Sequence, residues 1–369
     1  MSVCAPGNEH YKDTCFSNKS LKVIINRYNK HYPDDKIIFN KKKFDREKAW
    51  VDIKQRLFRW TPKCTEDYCL LEHPIVSKIS DLEISEQTFR PEMPESWNST
   101  PNEWLSTLDI ANVVNQYENK YTNFRFIGPV PIDFDHKIAS IMCVSDELCK
   151  INLKKLYNGG MRKLGVVFNL DPHYKGGSHW VTMFLDINSG GAYFFDSAGS
   201  APPIQVKKLM NRIKQQGNSL ILDSTIKLNE INNLHTCSYT FTALKNKNQI
   251  KVVGDDDVSK LLKNVVHFIK KGVVISLNEV THVNGNILTL RFPLKCLGCD
   301  NFVSKCFKNF YNKNQLQFKD SECGIFAINF IEEMLKGRRF DELLADPYKN
   351  DEFMTRLRKT YWRPNKKST

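Results

Sequence analysis

No apolar run in the 369 residues approaches the roughly eighteen that a membrane-spanning helix needs, which excludes an integral α-helical membrane protein. The N-terminal stretch, with Cys4, Pro6 and Glu9, lacks the apolar core of a secretory signal, so secretion is not expected. There is no internal repeat and no low-complexity tract, which leaves a globular chain long enough to bury a sizeable core. Familiar zinc spacing is missing as well. Cys64, Cys69 and His73 form one trio and Cys296, Cys299 and Cys306 another; neither supplies four ligands, so packing is the expected role of both. The eleven cysteines are odd in number and irregularly spaced, and they predict reduced thiols in an intracellular setting, not a disulfide framework. Lys41–Lys43 near Arg46 and Lys48, Lys270–Lys271 and Lys366–Lys367 carry no base-reading motif. The net charge of +13 therefore predicts only non-specific nucleic acid contact, weakened by salt, beside the ordinary role of a solvated face.

What the chain does carry centres on the stretch from Asp320 to Ile331. A polar, turn-prone run ends at Cys323. Beyond it Ile325, Ile328, Phe330, Ile331, Met334 and Leu335 recur at helix-compatible spacing, with Lys336 in the last turn and Gly337 as a natural cap. Cys323 is thus expected at a helix N-terminus, where unpaired N–H groups and the macrodipole favour an anion. That makes it a candidate thiolate nucleophile, against the alternative of a buried, inert cysteine.

A nucleophilic thiolate needs a base, a group to orient the base, and donors for the oxyanion. His179-Trp180 opens a strand-like run, and Asp196-Ser197 closes the next one after the Ser189-Gly190-Gly191 turn. A hairpin there would let His179 and Asp196 meet near its open end. Gln317, six residues before Cys323, could offer its amide to the oxyanion beside the Cys323 N–H. A lone His at a strand start is more often structural; the constellation is more specific than any member.

His179-Trp180, Asp196-Ser197, Gln317 and Glu322-Cys323-Gly324, in that order, resemble the signature of the cysteine proteases that cleave SUMO and ubiquitin-like modifiers, a pattern shared with adenovirus-type and other large DNA-virus maturation proteases. Cys64-x4-Cys69-x3-His73-Pro74, Lys120 through Phe124, Asp133-Phe134 and Val167 through Asp171 resemble, more specifically, the polyprotein protease of African swine fever virus. That relative carries Asn where this chain has Asp196, so Asp196 follows the modifier-protease pattern. The resemblance implies an α+β fold: a papain-like or adenain-like cysteine protease core, its central mixed sheet flanked by helices. It also implies thiol endopeptidase activity without metal or organic cofactor, after Gly-Gly in a structural polyprotein or a ubiquitin-like modifier. The expected setting is the host cytoplasm and the virion, whose acidic interior would attract a basic chain.

A mostly helical N-terminal module is expected over 1–105, with helices about Leu21–Asn26 and Lys48–Ile53 and a turn at Tyr32–Asp35. Pro91, Pro94 and Pro101 mark a linker or an irregular surface segment. The protease core is expected over 106–350. A helix from Trp104 through Tyr121 presents Leu105, Leu108, Ile110, Val113, Val114 and Tyr117; the first confident core strand is Lys163–Asn169. Gln317 lies 121 positions beyond Asp196, longer than the relatives require, so about 218–305 reads as an inserted α+β subdomain. Within it Val258–Lys271 is helix-like and Val273–Leu277 and Ile287–Phe292 are strand-like. A last surface helix, Tyr348–Arg358, and a basic tail fill the C-terminal end through 369.

In the implied chemistry His179 takes the Cys323 proton, Asp196 orients the ring, and Gln317 with the Cys323 N–H holds the oxyanion. Glu322 is expected to hold the turn or to meet the substrate backbone. Trp180 either roofs a channel admitting only small side chains or belongs to the core. Two other functions share these residues: a deSUMOylase or deubiquitinase acting on host conjugates, and a catalytically idle basic virion protein binding nucleic acid.

Overall fold

The computed structural model describes residues 3–8, 13–40, 42–60, 66–79, 88–139, 141–222, 225–226, 234–243, 249–254, 268–270, 273–275, 280–284, 287–290 and 301–365. Its helices are α1 (Asn18–His31), α2 (Arg46–Leu57), α3 (Thr107–Val114), α4 (Gln116–Lys120), α5 (Asp146–Cys149), α6 (Leu153–Asn158), α7 (Ile204–Leu222), α8 (Cys323–Leu335), α9 (Phe340–Leu344) and α10 (Asp351–Tyr361). Its strands are β1 (Phe124–Pro131), β2 (Lys137–Ile138), β3 (Met142–Cys143), β4 (Lys163–Asn169), β5 (Trp180–Asp186), β6 (Gly191–Phe195), β7 (Thr236–Ala243), β8 (Gln249–Gly254), β9 (Phe268–Lys270), β10 (Val273–Ile275), β11 (Val280–Asn284), β12 (Ile287–Leu290), β13 (Asn301–Lys305) and β14 (Lys308–Tyr311). Backbone contacts divide the chain into two compact units, Met1–Thr122 with Leu316–Thr369, and Asn123–Gln315.

In the Asn123–Gln315 unit the strands run β1-β4-β5-β6-β14. The outer pairs, β1 with β4 and β6 with β14, are parallel and the inner ones antiparallel, so the sheet is mixed, as expected. β5 and β6 are buried at nearly every position, the pattern of strands covered on both faces. Val166, Phe168, Met183, Leu185 and Phe194 join Val206, Leu209 and Ile213 of α7 in one core. A second sheet, β11-β12-β8-β7-β13, lies within the segment read as an insertion. There the helix-like reading of Val258–Lys271 is corrected where the structure describes it. Residues 268–270 form β9, paired antiparallel with β10; β-branched and aromatic side chains favour the strand. Residues 258–267 and 271 lie outside the described residues.

In the other unit, local chemistry sets the helix starts. Ser17 caps α1, Asp45 caps α2 and Asn350 caps α10, each accepting a backbone N–H of the first turn. Phe16, Leu21, Ile24, Trp50, Ile53 and Phe89 close a separate core there. The helix predicted from Trp104 begins only at Thr107, because Ser106 and Asp109 form a capping box, and it breaks at Asn115. Leu105 is buried ahead of that cap, whereas Leu108 is 71% exposed. The Pro91–Pro101 stretch is irregular but packed: Trp97 meets Trp362 edge-on at 5.0 Å, the Met93 N–H donates to the Arg363 carbonyl, and the Arg363 N–H donates to the Pro91 carbonyl. The C-terminal helix buries Met354, Arg358 and Tyr361. Among the described residues no helix is long and apolar enough to cross a membrane.

The cysteines correct the expectation of reduced thiols. Cys4–Cys15, Cys143–Cys149 and Cys237–Cys306 are disulfides with Cα atoms 5.1, 6.3 and 5.9 Å apart, and Cys69 is disulfide-bonded too. Irregular spacing concealed these pairs because the fold, not the sequence interval, brings them within reach. Cys69 and Cys306 thereby leave both candidate metal trios; Cys64, Cys296 and Cys299 lie outside the described residues. Among the described residues Cys323 is the cysteine that keeps a free thiol.

Candidate active site

His179 and Asp196 stand at adjoining strand ends, one just before β5 and the other just after β6. Pairing of Thr182 with Phe195 brings those ends together, and His179 Nε2 lies 2.7 Å from Asp196 Oδ1. An ionised carboxylate has no proton to give, so Nε2 is the donor and Nδ1 is the nitrogen turned away from Asp196. The Asp196 side chain is 3% exposed and that of His179 21%, so the imidazole reaches solvent and its partner does not. Burial pushes the Asp196 carboxyl up, but the His179 hydrogen bond, the Ala198 N–H at 2.9 Å, the imidazole charge and the Ser200 hydroxyl outweigh it. The carboxyl is held below its ordinary range. Asp196 is therefore charged at neutral pH, and can both orient the ring and stabilise an imidazolium.

The approach to His179 is tied down from β4. Asn169 Oδ1 accepts the N–H groups of Asp171 at 2.9 Å and Ser178 at 3.2 Å, and the Leu170 N–H donates to the His179 carbonyl at 2.9 Å. Trp180 is 6% exposed, in register with Asn169.

Cys323 is the first residue of α8 and is 2% exposed. α8 packs on α3 and α10. Beside the cysteine, a Cβ on Gly324 would come within 2.8 Å of Leu105 Cδ1, so glycine suits this close approach. The preceding loop is braced by α10. Asp351 Oδ2 accepts the N–H groups of Phe318 and Lys319 at 2.8 and 3.2 Å. Arg358 Nε meets Glu322 Oε2 at 3.2 Å, Arg358 also donates to the Ser321 carbonyl, and Glu322 Oε1 accepts from Thr355 and Ser321 hydroxyls. Gln317 is 8% exposed and donates an amide N–H to the Lys319 carbonyl.

The residues singled out from sequence thus fall into two groups. His179 and Asp196 are brought into hydrogen-bond contact, with Trp180 beside them in the chain. Gln317, Glu322 and Cys323 share one braced loop and helix start. Glu322, expected to hold the turn or to meet the substrate backbone, makes the contacts of the first role. Sequence reasoning missed Asp351, Arg358 and Asn312, the last of which bonds the Asp196 backbone. Asp351, Thr355 and Arg358 fall on one helical face, a polar stripe that could have drawn notice. Nothing local marks Asn312.

No family model matches the sequence. A chain of Acanthamoeba polyphaga mimivirus named as a thiol protease is 27% identical over 360 residues, covering 94% of this chain and 88% of that one. A SUMO-1 cysteine protease of African swine fever virus is 26% identical over 183 residues, which is 46% of this chain and 66% of the relative's length. The crystal structure of the African swine fever virus protease matches with a TM-score of 0.54 at 18% identity, covering 99% of this chain and 96% of that one. The fold is that of this protease group, as the resemblance implied.

Proposed function

We propose that this cysteine protease, a homologue of viral thiol proteases, is an endopeptidase that cleaves after Gly-Gly and processes a structural polyprotein during virion maturation. One observation carries the reading: a buried, charged Asp196 at 2.7 Å from the His179 imidazole, in a chain whose free described thiol opens a helix. His179 accepts the Cys323 proton at Nδ1, the nitrogen that does not face Asp196. The thiolate attacks the peptide carbonyl, and the Gln317 amide with the Cys323 N–H stabilises the oxyanion, each such donor contributing about 3–4 kcal/mol. The imidazolium then protonates the leaving amine, and water attacking through the same base releases the acyl group.

Glu322 acts through the loop it holds. Trp180, adjoining the base, narrows the approach to small side chains such as glycine. The catalytic unit corresponds to the core expected over 106–350, beside the helical module of 1–105, with the insertion of about 218–305 as an accessory to substrate or partner binding. The protease works in the host cytoplasm and travels in the virion. Asp196, where the African swine fever virus pattern has Asn, favours a second substrate class, ubiquitin-like modifiers on host conjugates.

The test is to incubate wild type and Cys323→Ala with Gly-Gly-x peptides and with SUMO and ubiquitin fusions, while a thiol-reactive probe maps the labelled cysteine. Cleavage after Gly-Gly by wild type, none by Cys323→Ala, and labelling at Cys323 are expected. Turnover by folded Cys323→Ala would remove the nucleophile assignment; fusions cut in preference to peptides would point to modifiers.

A further inference from the structure

We propose that Asn312 is a positioning residue, which fixes the backbone of Asp196 so that its carboxylate stays on His179. The inference rests on the catalytic reading above. β14 runs parallel to β6, and the last register pair is Tyr311 with Phe194. One step further on, main-chain pairing is replaced by a side chain. Asn312 Oδ1 accepts the Asp196 N–H at 2.9 Å, and Asn312 Nδ2 donates to the Asp196 carbonyl at 2.6 Å. Nδ2 also donates to the Asn314 carbonyl at 3.1 Å, which uses both amide hydrogens. Asn312 is 1% exposed and Asp196 is 2% exposed, so water cannot stand in for these bonds.

The remaining contacts show why the backbone matters. Asp196 Oδ1 already accepts from His179 and from Ala198. The carboxylate is therefore gripped at its tip, and its direction depends on the peptide behind it. The Gly199 N–H closes a turn onto the same Asp196 carbonyl at 2.8 Å. Gly199 has φ +77°, and a Cβ there would meet the Asn314–Gln315 backbone at 2.8 Å, so the turn and the loop after β14 are in direct contact. β14 is anchored at its other end too, where the Lys308 N–H bonds the Gly190 carbonyl. β14 is thus tied to both ends of β6, and the residue just after it, Asn312, holds the aspartate 116 positions upstream.

The experiment is a double-mutant cycle in the full chain, with Asn312→Ala, Asp196→Ala and the double variant, and with Asn312→Asp as a second probe of similar size. Asn312→Asp keeps the acceptor for the Asp196 N–H and replaces both donors by a carboxylate oxygen that repels the carbonyls. Steady-state cleavage of a short peptide gives kcat and KM separately, and thermal denaturation reports the fold. A misplaced catalytic group costs roughly tenfold to hundredfold in rate, so Asn312→Ala is expected to lower kcat by about that factor with KM unchanged. Asn312→Asp should do likewise. In the Asp196→Ala background, removing Asn312 should cost nothing further.

Wild-type kcat in folded Asn312→Ala would overturn the proposal, as would equal losses from Asn312→Ala in both backgrounds. Loss of the native fold in both Asn312 variants would also overturn it, by making the residue a requirement of folding. If Asp196→Ala itself kept wild-type turnover, the catalytic reading would fail instead, so the two failures are separable.

Discussion

Replacing Arg358 by methionine leaves the Glu322 carboxylate buried without its cation. The pair is 3.2 Å apart, with side chains 5% and 1% exposed, and Arg358 also lies 4.7 Å over the Trp97 ring. Removing one member of a pair this dry costs about 3–5 kcal/mol, because the survivor keeps its desolvation penalty and loses its compensation. In a chain of this size that corresponds to a fall in Tm of about 4–6 °C. Glu322→Gln, which keeps the Thr355 and Ser321 contacts but strands the guanidinium, should fall in the same range. The double variant Glu322→Leu/Arg358→Met removes both charges together and should recover much of the loss. The assay is thermal denaturation of the four proteins, with iodoacetamide inactivation of Cys323 followed in parallel. Because Arg358 also holds the Ser321 carbonyl, the loop before Cys323 should loosen, and the inactivation rate should change in Arg358→Met more than KM for a small peptide does. A single variant within about 1 kcal/mol of wild type would refute the reasoning, since that is the worth of a solvated surface pair. A raised KM with unchanged Tm in Glu322→Gln would instead assign Glu322 to the substrate.

His179→Ala should abolish turnover to the same degree as Cys323→Ala, whereas Asp196→Asn should be milder, because its amide oxygen can still accept from Nε2; equal losses in a peptide-cleavage assay would contradict that ordering. The folded carboxyl of Asp196 is held below its ordinary range, so its contribution to stability is present above about pH 4 and is lost as pH falls through the depressed value. The Tm advantage of wild type over Asp196→Asn should therefore shrink in acid, and an advantage that grew on acidification would reverse the sign. Excising residues 238–305 is feasible because the Cα atoms of Cys237 and Cys306 are 5.9 Å apart, a gap a short glycine linker spans. The excised enzyme should keep small-peptide cleavage and lose rate on a folded substrate; loss of both in a folded protein would make the segment part of the core. With a net charge of +13, duplex DNA should bind weakly at about 20 mM salt and negligibly at about 200 mM, without being needed for turnover. A large DNA-dependent rise in cleavage at the higher salt would make nucleic acid a cofactor.

Much of the site was legible because its signals are local. The strand expected at Lys163–Asn169 is β4 residue for residue, and the helix expected behind Cys323 begins at Cys323 and stops at Leu335, with Gly337 at φ +85° beyond it. Periodicity, glycine turns and cap residues act within a few positions, so the chain alone determines them. The short turn between β5 and β6 likewise made the meeting of His179 and Asp196 foreseeable. Tertiary structure alone decided the rest. Which imidazole nitrogen faces Asp196 depends on how two strand ends are aimed. Cys237 finds Cys306 across 69 positions, Asn312 finds Asp196 across 116, and Arg358 finds Glu322 across 36. Each of these contacts joins groups far apart in sequence, brought together where burial removed water as the alternative.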